Sequence, residues 1–384
     1  MTKAYPFNRP TLAGSEVEAI LDAIERRHIS GNGSYTKQCH NWLQNYIRGS
    51  KALLTHSCTA ALEMSGILAG LEPGDEVIMP SFTFTSTANA FVLRRATPVF
   101  VDVREDTLNI DETLIEAAIT PKTKAICVVH YAGVAAEMDA IMSIAARHGL
   151  FVIEDAAQAM FATYKGRPLG SIGHMSAFSF HETKNIMSGE GGALIVNDPS
   201  LRERSEIIWE KGTDRAKFER GEVAKYSWVD VGSSFLPSDI IAAFLLKQLE
   251  SGAEITRSRL EIWNRYQTAF QHKHNAGVAR CPTIPSHCAH NGHIFFLLVS
   301  EACERDRVLA RARAENVSSI IHYVPLHSAP AGLRFGRLGS TMAVTDSIAS
   351  RLIRLPLHVQ LDEGDQSYII DVMTRALENA PATV

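Results

Sequence analysis

From residue 50 onward, short apolar runs alternate with longer segments whose apolar positions recur at helical spacing. Strands are predicted at 51–55, 76–79, 97–103, 125–130 and 150–154. Helices are predicted between them at 60–71, 85–94, 110–119 and 138–148. This alternation implies an α/β fold with a mostly parallel sheet covered by helices on both faces. The run Gly149-Leu150-Phe151-Val152-Ile153 is apolar throughout, as a central buried strand requires. A further apolar strand, Ala177-Phe178-Ser179-Phe180, precedes a polar pentapeptide, His181-Glu182-Thr183-Lys184-Asn185, and a glycine turn at Gly189-Glu190-Gly191-Gly192.

The rhythm breaks at 213–230, where charges crowd together, and this stretch reads as an exposed loop. Beyond it a helix at 237–249 is predicted to continue as a long connecting helix to about 269. A second, smaller α/β segment starts near Gly277, with a strand at 293–299. The expected division is a large domain over 1–250 and a connecting helix with a small C-terminal domain over 251–384.

Composition adds limits. With 384 residues the chain can bury a sizeable core. A net charge of −4 favours neither nucleic acid nor an anionic membrane surface as partner. No apolar stretch is long enough to span a bilayer, and the first residues lack the apolar run of a signal peptide. Six scattered cysteines (Cys39, Cys58, Cys127, Cys281, Cys288, Cys303) fit a reducing cytoplasm better than a disulfide framework.

Candidate chemistry sits at the ends of the predicted strands. Lys184 lies between two ordered elements, five residues after Ser179. Desolvation lowers a lysine's pKa, and a neutral amine can hold pyridoxal phosphate as a Schiff base. Asp155 follows a buried strand, where α/β sheets open their ligand crevice. A carboxylate there can pair with a pyridinium nitrogen or cap the next helix. Ser57-Cys58-Thr59 opens a helix and suits either phosphate binding or simple capping. Phe84 could stack on a flat ring or belong to the core. His322-Tyr323-Val324-Pro325-Leu326-His327 suits a substrate loop or an ordinary turn. The His287–His293 stretch, with Cys281 nearby, has no regular zinc-ligand spacing, and no metal is expected.

Taken in order, the segments around Ser57, Pro80, Asp155, Lys184 and Tyr323 resemble the DegT/DnrJ/EryC1/StrS family of sugar aminotransferases. The likeness runs from Pro6-Phe7-Asn8 to about Pro356, and is closest to the branch acting on TDP-4-keto-6-deoxy-D-glucose. The resemblance implies a fold-type-I architecture with a seven-stranded, mostly parallel sheet. It implies Lys184 as the cofactor lysine and proton shuttle, and Asp155 as the partner of the ring nitrogen. Phe84 becomes the ring-stacking aromatic, and Gln158 a residue near the phenolic oxygen. Ser57, Cys58, Thr59 and Ser179 form the phosphate cradle, and His181 is the histidine three positions before the lysine. Tyr323 and His327 fall on the substrate loop, and Gly31-Asn32-Gly33 on a loop near the sugar nucleotide. Ser234 stands where many members have an Asn that reaches the phosphate from the other subunit, and the same branch carries Ser there.

The activity so implied is transfer of an amino group from L-glutamate to a nucleotide-linked 4-keto-6-deoxyhexose by a homodimer with shared sites. The implied product is dTDP-4-amino-4,6-dideoxy-D-galactose. A C3 ketone, a UDP sugar or a gluco-configured product stays open. Sugar deoxygenases on this scaffold have histidine in place of the lysine, so Lys184 points away from them. A PLP-binding regulator would carry a basic DNA-reading domain, for which neither terminus has the room or the charge.

Overall fold

A computed structural model describes residues 3–300 and 302–378. The outer ends of the two expected domains, residues 1–2 and 379–384, lie outside the described residues. Seven strands make the core of the large sheet: β1 (Lys51–Thr55), β2 (Glu76–Pro80), β3 (Thr97–Val101), β4 (Thr123–Val129), β5 (Phe151–Asp155), β6 (Met175–Ser179) and β7 (Gly192–Val196). Their spatial order is β1-β7-β6-β5-β4-β2-β3. β7 is antiparallel to both neighbours, and the remaining pairs are parallel. The expected seven strands are joined by an eighth, the two residues Arg337–Leu338, which pair with β3 at the sheet edge.

Alternation along each strand divides the apolar side chains between two cores. Ile126 and Val128 of β4 pack on one side with Ile78, Val99 and Val152, while Ala125 and Cys127 pack on the other with Val77, Met79 and Ile153. Each fully buried Val or Ile stabilises the fold by about 2 kcal/mol. The first face is covered by α1 (Glu16–Glu25), α2 (Ser34–Ile47), α5 (Met138–His148) and α6 (Asp239–Glu250), and the second by α3 (Cys58–Leu68) and α4 (Thr85–Val92).

A separate core forms around the antiparallel sheet β8 (Ala279–Arg280), β9 (Phe296–Val299) and β10 (Leu352–Arg354). Tyr5, from the N-terminal segment, joins that core. Two local expectations change. The helix expected from 237 to 269 breaks at Ser251 into α6 and α7 (Gly252–Asn275). Gly252 opens α7 where the Phe161 ring would lie 2.3 Å from a Cβ, so the chain bends around that ring. The charged stretch 213–230 contains a helical turn at Arg215–Glu219. Ion pairs hold it: Arg215 with Glu210 and Glu219, Lys217 with Glu203, and Arg220 with Glu206 and Glu222.

Candidate active site

Strands β1, β2, β4, β5 and β6 run in one direction, so their carboxyl ends open on one edge of the sheet. A cavity of about 570 Å³ lies there. Ser57, Cys58 and Thr59 reach it from the turn after β1, and Phe84 from the segment after β2. Asp155 is the last residue of β5 and Ser179 the last of β6. Gln158, His181, Lys184 and Tyr323 complete the expected residues that line it.

Asp155 is 5% exposed. Thr87 Oγ1 donates to its Oδ2 at 2.7 Å, and the Ala157 N–H donates to Oδ1 at 3.2 Å. Thr83 bonds Thr87 in turn, Oγ1 to Oγ1, at 2.7 Å. Burial raises the Asp155 pKa, against the opposing pull of Thr87, Ala157 and Lys184. A cation at its free edge would relieve that desolvation.

Lys184 follows β6 in a turn closed by its own N–H, which donates to the His181 carbonyl at 2.9 Å. Among the described residues its amine has no hydrogen bond or ion pair. Burial lowers its pKa, opposed by Cys58 and Asp155. The neutral amine is therefore more accessible than that of a surface lysine. His181 bonds Thr183 Oγ1 through Nδ1 at 2.8 Å and lies 3.6 Å from Glu190 through Nε2, at the cavity rim.

Ser57 caps α3: its Oγ accepts from the Ala60 N–H at 3.1 Å. The N–H groups of Cys58 and Thr59 at the helix start have no intrahelical acceptor. These donors, the helix dipole and Ser179 could hold an anion such as a phosphate group. Gly192 lets β7 pass beneath it, since a Cβ there would lie 2.4 Å from the Ser57 carbonyl carbon. Thr59 Oγ1 donates to Ser86 Oγ at 2.8 Å. Phe84 is 59% exposed with its ring at the cavity. Gln158 Nε2 donates to Tyr323 Oη at 2.9 Å, and its Oε1 accepts from the Ala132 N–H at 2.7 Å.

Five expected residues are not brought to this cavity by their own chain. His327 Nδ1 lies 2.8 Å from Ser81 Oγ, tying its loop to the end of β2. Ser234 bridges to Glu210. Asn32 lines a separate cavity of about 370 Å³ beside Glu219 and Arg220. Gly31 and Gly33 pack against Leu236 and Asp239, and a Cβ on Gly33 would lie 2.3 Å from Asp239 Oδ2.

The cavity also includes residues that sequence reasoning missed, Phe7, Thr83, Ser86, His293 and Arg354, and His322 from the expected substrate loop lines it as well. One signal was available, since Arg354 interrupts the apolar run Leu352-Ile353-Arg354-Leu355. The histidines of the 287–293 stretch diverge. His287 pairs with Glu137, His290 packs on Trp263, and His293 bonds Asn185.

A desolvated lysine, a buried carboxylate and an anion cradle around one cavity fit pyridoxal phosphate. The fold and site define a pyridoxal-phosphate-dependent enzyme of the aminotransferase class. Residues 10–374 match the profile of the DegT/DnrJ/EryC1/StrS aminotransferase family, and the chain belongs to that family. The spore coat polysaccharide biosynthesis protein SpsC of Bacillus subtilis is 34% identical, over 98% of this chain and 97% of that one. The GDP-perosamine synthase of Caulobacter vibrioides is 32% identical, over 96% of this chain and 97% of its own. The PLP form of the putative sugar aminotransferase Spr1654 from Streptococcus pneumoniae superposes with a TM-score of 0.90 at 26% identity, covering 98% of this chain and 99% of that one. The chain is accordingly a sugar aminotransferase that uses pyridoxal phosphate. No helix among the described residues is long and apolar enough to cross a membrane.

Proposed function

We propose that the enzyme transfers the amino group of L-glutamate to C4 of dTDP-4-keto-6-deoxy-D-glucose, giving dTDP-4-amino-4,6-dideoxy-D-galactose. The observation that carries the reading is the unpaired amine of Lys184 in the cavity that also holds Asp155. Bound pyridoxal phosphate supplies the carbonyl that accepts the amino group and an electron sink for the charge released at the donor's Cα.

The chain's residues would act as follows. The Cys58 and Thr59 N–H groups and the Ser179 hydroxyl hold the phosphate, with Ser57 ordering the turn. Asp155, oriented by Thr87, keeps the pyridine nitrogen protonated. Phe84 covers a ring face, and Gln158 approaches the phenolic oxygen. Neutral Lys184 Nζ takes the proton from the donor's Cα, and its protonated form delivers a proton to C4 of the hexose. His181 orders the turn that carries Lys184, and Tyr323 faces the sugar.

The site works best in a homodimer. Gly31, Asn32 and Ser234 lie away from their own chain's cavity, which suits residues that complete a partner's site. His327 would then act by fixing the substrate loop. We also place the enzyme in the cytoplasm, with residues 1–250 as the large domain and 251–384 as the small one. The likeness to a GDP-perosamine synthase favours one second reading, a GDP-linked sugar substrate.

The test is NMR of the product formed from dTDP-4-keto-6-deoxy-D-glucose and L-glutamate. An axial amine at C4, the galacto configuration, is expected. An equatorial amine, amination at C3 or turnover restricted to GDP-linked sugars would overturn the assignment.

A further inference from the structure

Lys184 sits in irregular chain between β6 and β7, where no helix or strand fixes its backbone. Its immediate neighbour supplies an anchor. Asn185 is buried, and its Nδ2 donates to the Asn291 carbonyl at 2.9 Å. A carbonyl only accepts, so the amide nitrogen must face it, and Oδ1 is left to face His293. His293 Nδ1 lies 2.8 Å from that oxygen and must carry the proton of the bond. Burial keeps the imidazole neutral, with its pKa well below the usual histidine value. The ring lines the cavity, and its Nε2 has no hydrogen-bond partner among the described residues.

The anchor is itself held from two sides. Asn291 Nδ2 donates to the Gln158 and Met160 carbonyls at 2.8 Å each, and its Oδ1 accepts from the His293 N–H at 3.1 Å. From α7, Arg259 Nε and Nη2 donate to the Gly292 and His293 carbonyls at 3.2 and 2.9 Å, and Trp263 Nε1 donates to the Ile294 carbonyl at 3.0 Å. Asn291, His293, Arg259 and Trp263 are at most 5% exposed. One short segment, 291–294, therefore ties α7 to the turn that carries Lys184 and to the turn after β5 that carries Gln158. A buried network with its polar groups satisfied is rigid. An amine that attacks a carbonyl carbon needs such support, because distance and angle both enter its rate.

We infer that Asn185 and His293 are positioning residues for Lys184: their bond fixes the backbone from which the amine reaches the cofactor. This rests on the role proposed above for Lys184. The rival role for His293 is direct contact of Nε2 with cofactor or substrate.

The experiment uses the whole chain stripped of cofactor, as wild type, Asn185→Leu, His293→Leu, the double variant, His293→Asn and His293→Gln. Stopped-flow absorbance follows covalent capture of pyridoxal phosphate. Fluorescence titration with pyridoxamine phosphate, which has no aldehyde for Lys184 to attack, reads the cavity independently of the amine. Each Leu variant should capture pyridoxal phosphate roughly 10- to 100-fold more slowly, the cost of a displacement of about 1 Å. Binding of pyridoxamine phosphate should stay within about threefold. The double variant should be no slower than the slower single, within about threefold, because both act through one bond. An asparagine nitrogen falls near the place of histidine Nδ1, so His293→Asn should bring capture back to within about fivefold of wild type. A glutamine nitrogen falls near Nε2 instead, so His293→Gln should stay slow. Unchanged capture in both Leu variants would overturn the inference. So would recovery in His293→Gln without recovery in His293→Asn, which would assign Nε2 a direct contact. Equal losses in capture and in pyridoxamine phosphate binding would mark a merely structural pair. If the Leu variants do not fold, the comparison of His293→Asn with His293→Gln decides. Capture that persists in Lys184→Ala would refute the role of Lys184, and this inference with it.

Discussion

Thr87 Oγ1 donates a 2.7 Å hydrogen bond to Asp155 Oδ2, and both groups are buried beneath the cavity. The bond fixes one carboxylate oxygen while the Ala157 N–H holds the other, so the carboxylate has a set orientation at the cavity that it lines. In the proposed mechanism Asp155→Asn removes the charge that would hold a proton on the ring nitrogen. Turnover should fall by at least about 100-fold. Thr87→Val keeps the charge but frees its orientation, and should cost about 10-fold, the worth of one charge-assisted bond. Steady-state kinetics of the two variants check both values. Equal losses would mean that orientation matters as much as charge.

Burial lowers the pKa of the Lys184 amine below the ordinary lysine value of 10.5. Only the neutral amine can attack the cofactor's aldehyde, so its reactive fraction rises with pH through that lowered value. The rate at which apoenzyme takes up pyridoxal phosphate should therefore rise with pH and level off below the range of a free lysine. Absorbance-monitored reconstitution across pH measures this. A midpoint at or above the free-lysine value would contradict the burial argument.

Behind the site, Glu154 is fully buried against His130, with Nε2 to Oε2 at 2.9 Å. It also accepts from the N–H groups of Gly170, Ile172 and Gly173. Burial alone would raise its pKa, but His130 and these donors outweigh burial and leave it lowered from 4.5. A carboxyl with a depressed folded-state pKa stabilises fully above its unfolded value and loses that contribution as pH falls through the folded one. Glu154→Gln should cost about 3 kcal/mol at neutral pH by breaking a buried pair. The gap from wild type should narrow as pH falls below about 4. Denaturant melts at several pH values provide the check, and a gap that stays constant would show that Glu154 is not charged in the fold.

Much of this site was legible in the sequence because its parts sit at strand ends. Apolar runs located β1, β5 and β6, and the polar residues just past them had to fall on one edge of a parallel sheet. Asp155, Ser57 and Lys184 are of this kind. Thr87 was not legible, because it is a small polar residue inside a helix and gains meaning only through its bond to Asp155 at the end of β5. Phe7, His293 and Arg354 come from distant parts of the chain and meet the cavity only through tertiary packing. The kink at Ser251 also escaped, since helical periodicity continues through it and the bend depends on Phe161. In 213–230 charge density suggested a loop, while the alternation of signs allowed ion pairs that hold a helical turn.

The most direct test is Lys184→Ala, followed by absorbance of the purified protein with pyridoxal phosphate and by turnover with L-glutamate and the nucleotide sugar. The proposed role for Lys184 predicts a folded protein without the absorbance of covalently held cofactor. Turnover should fall by about 1,000-fold or more, as expected when a proton-transfer group is removed. Wild-type absorbance together with turnover at a normal rate would contradict it.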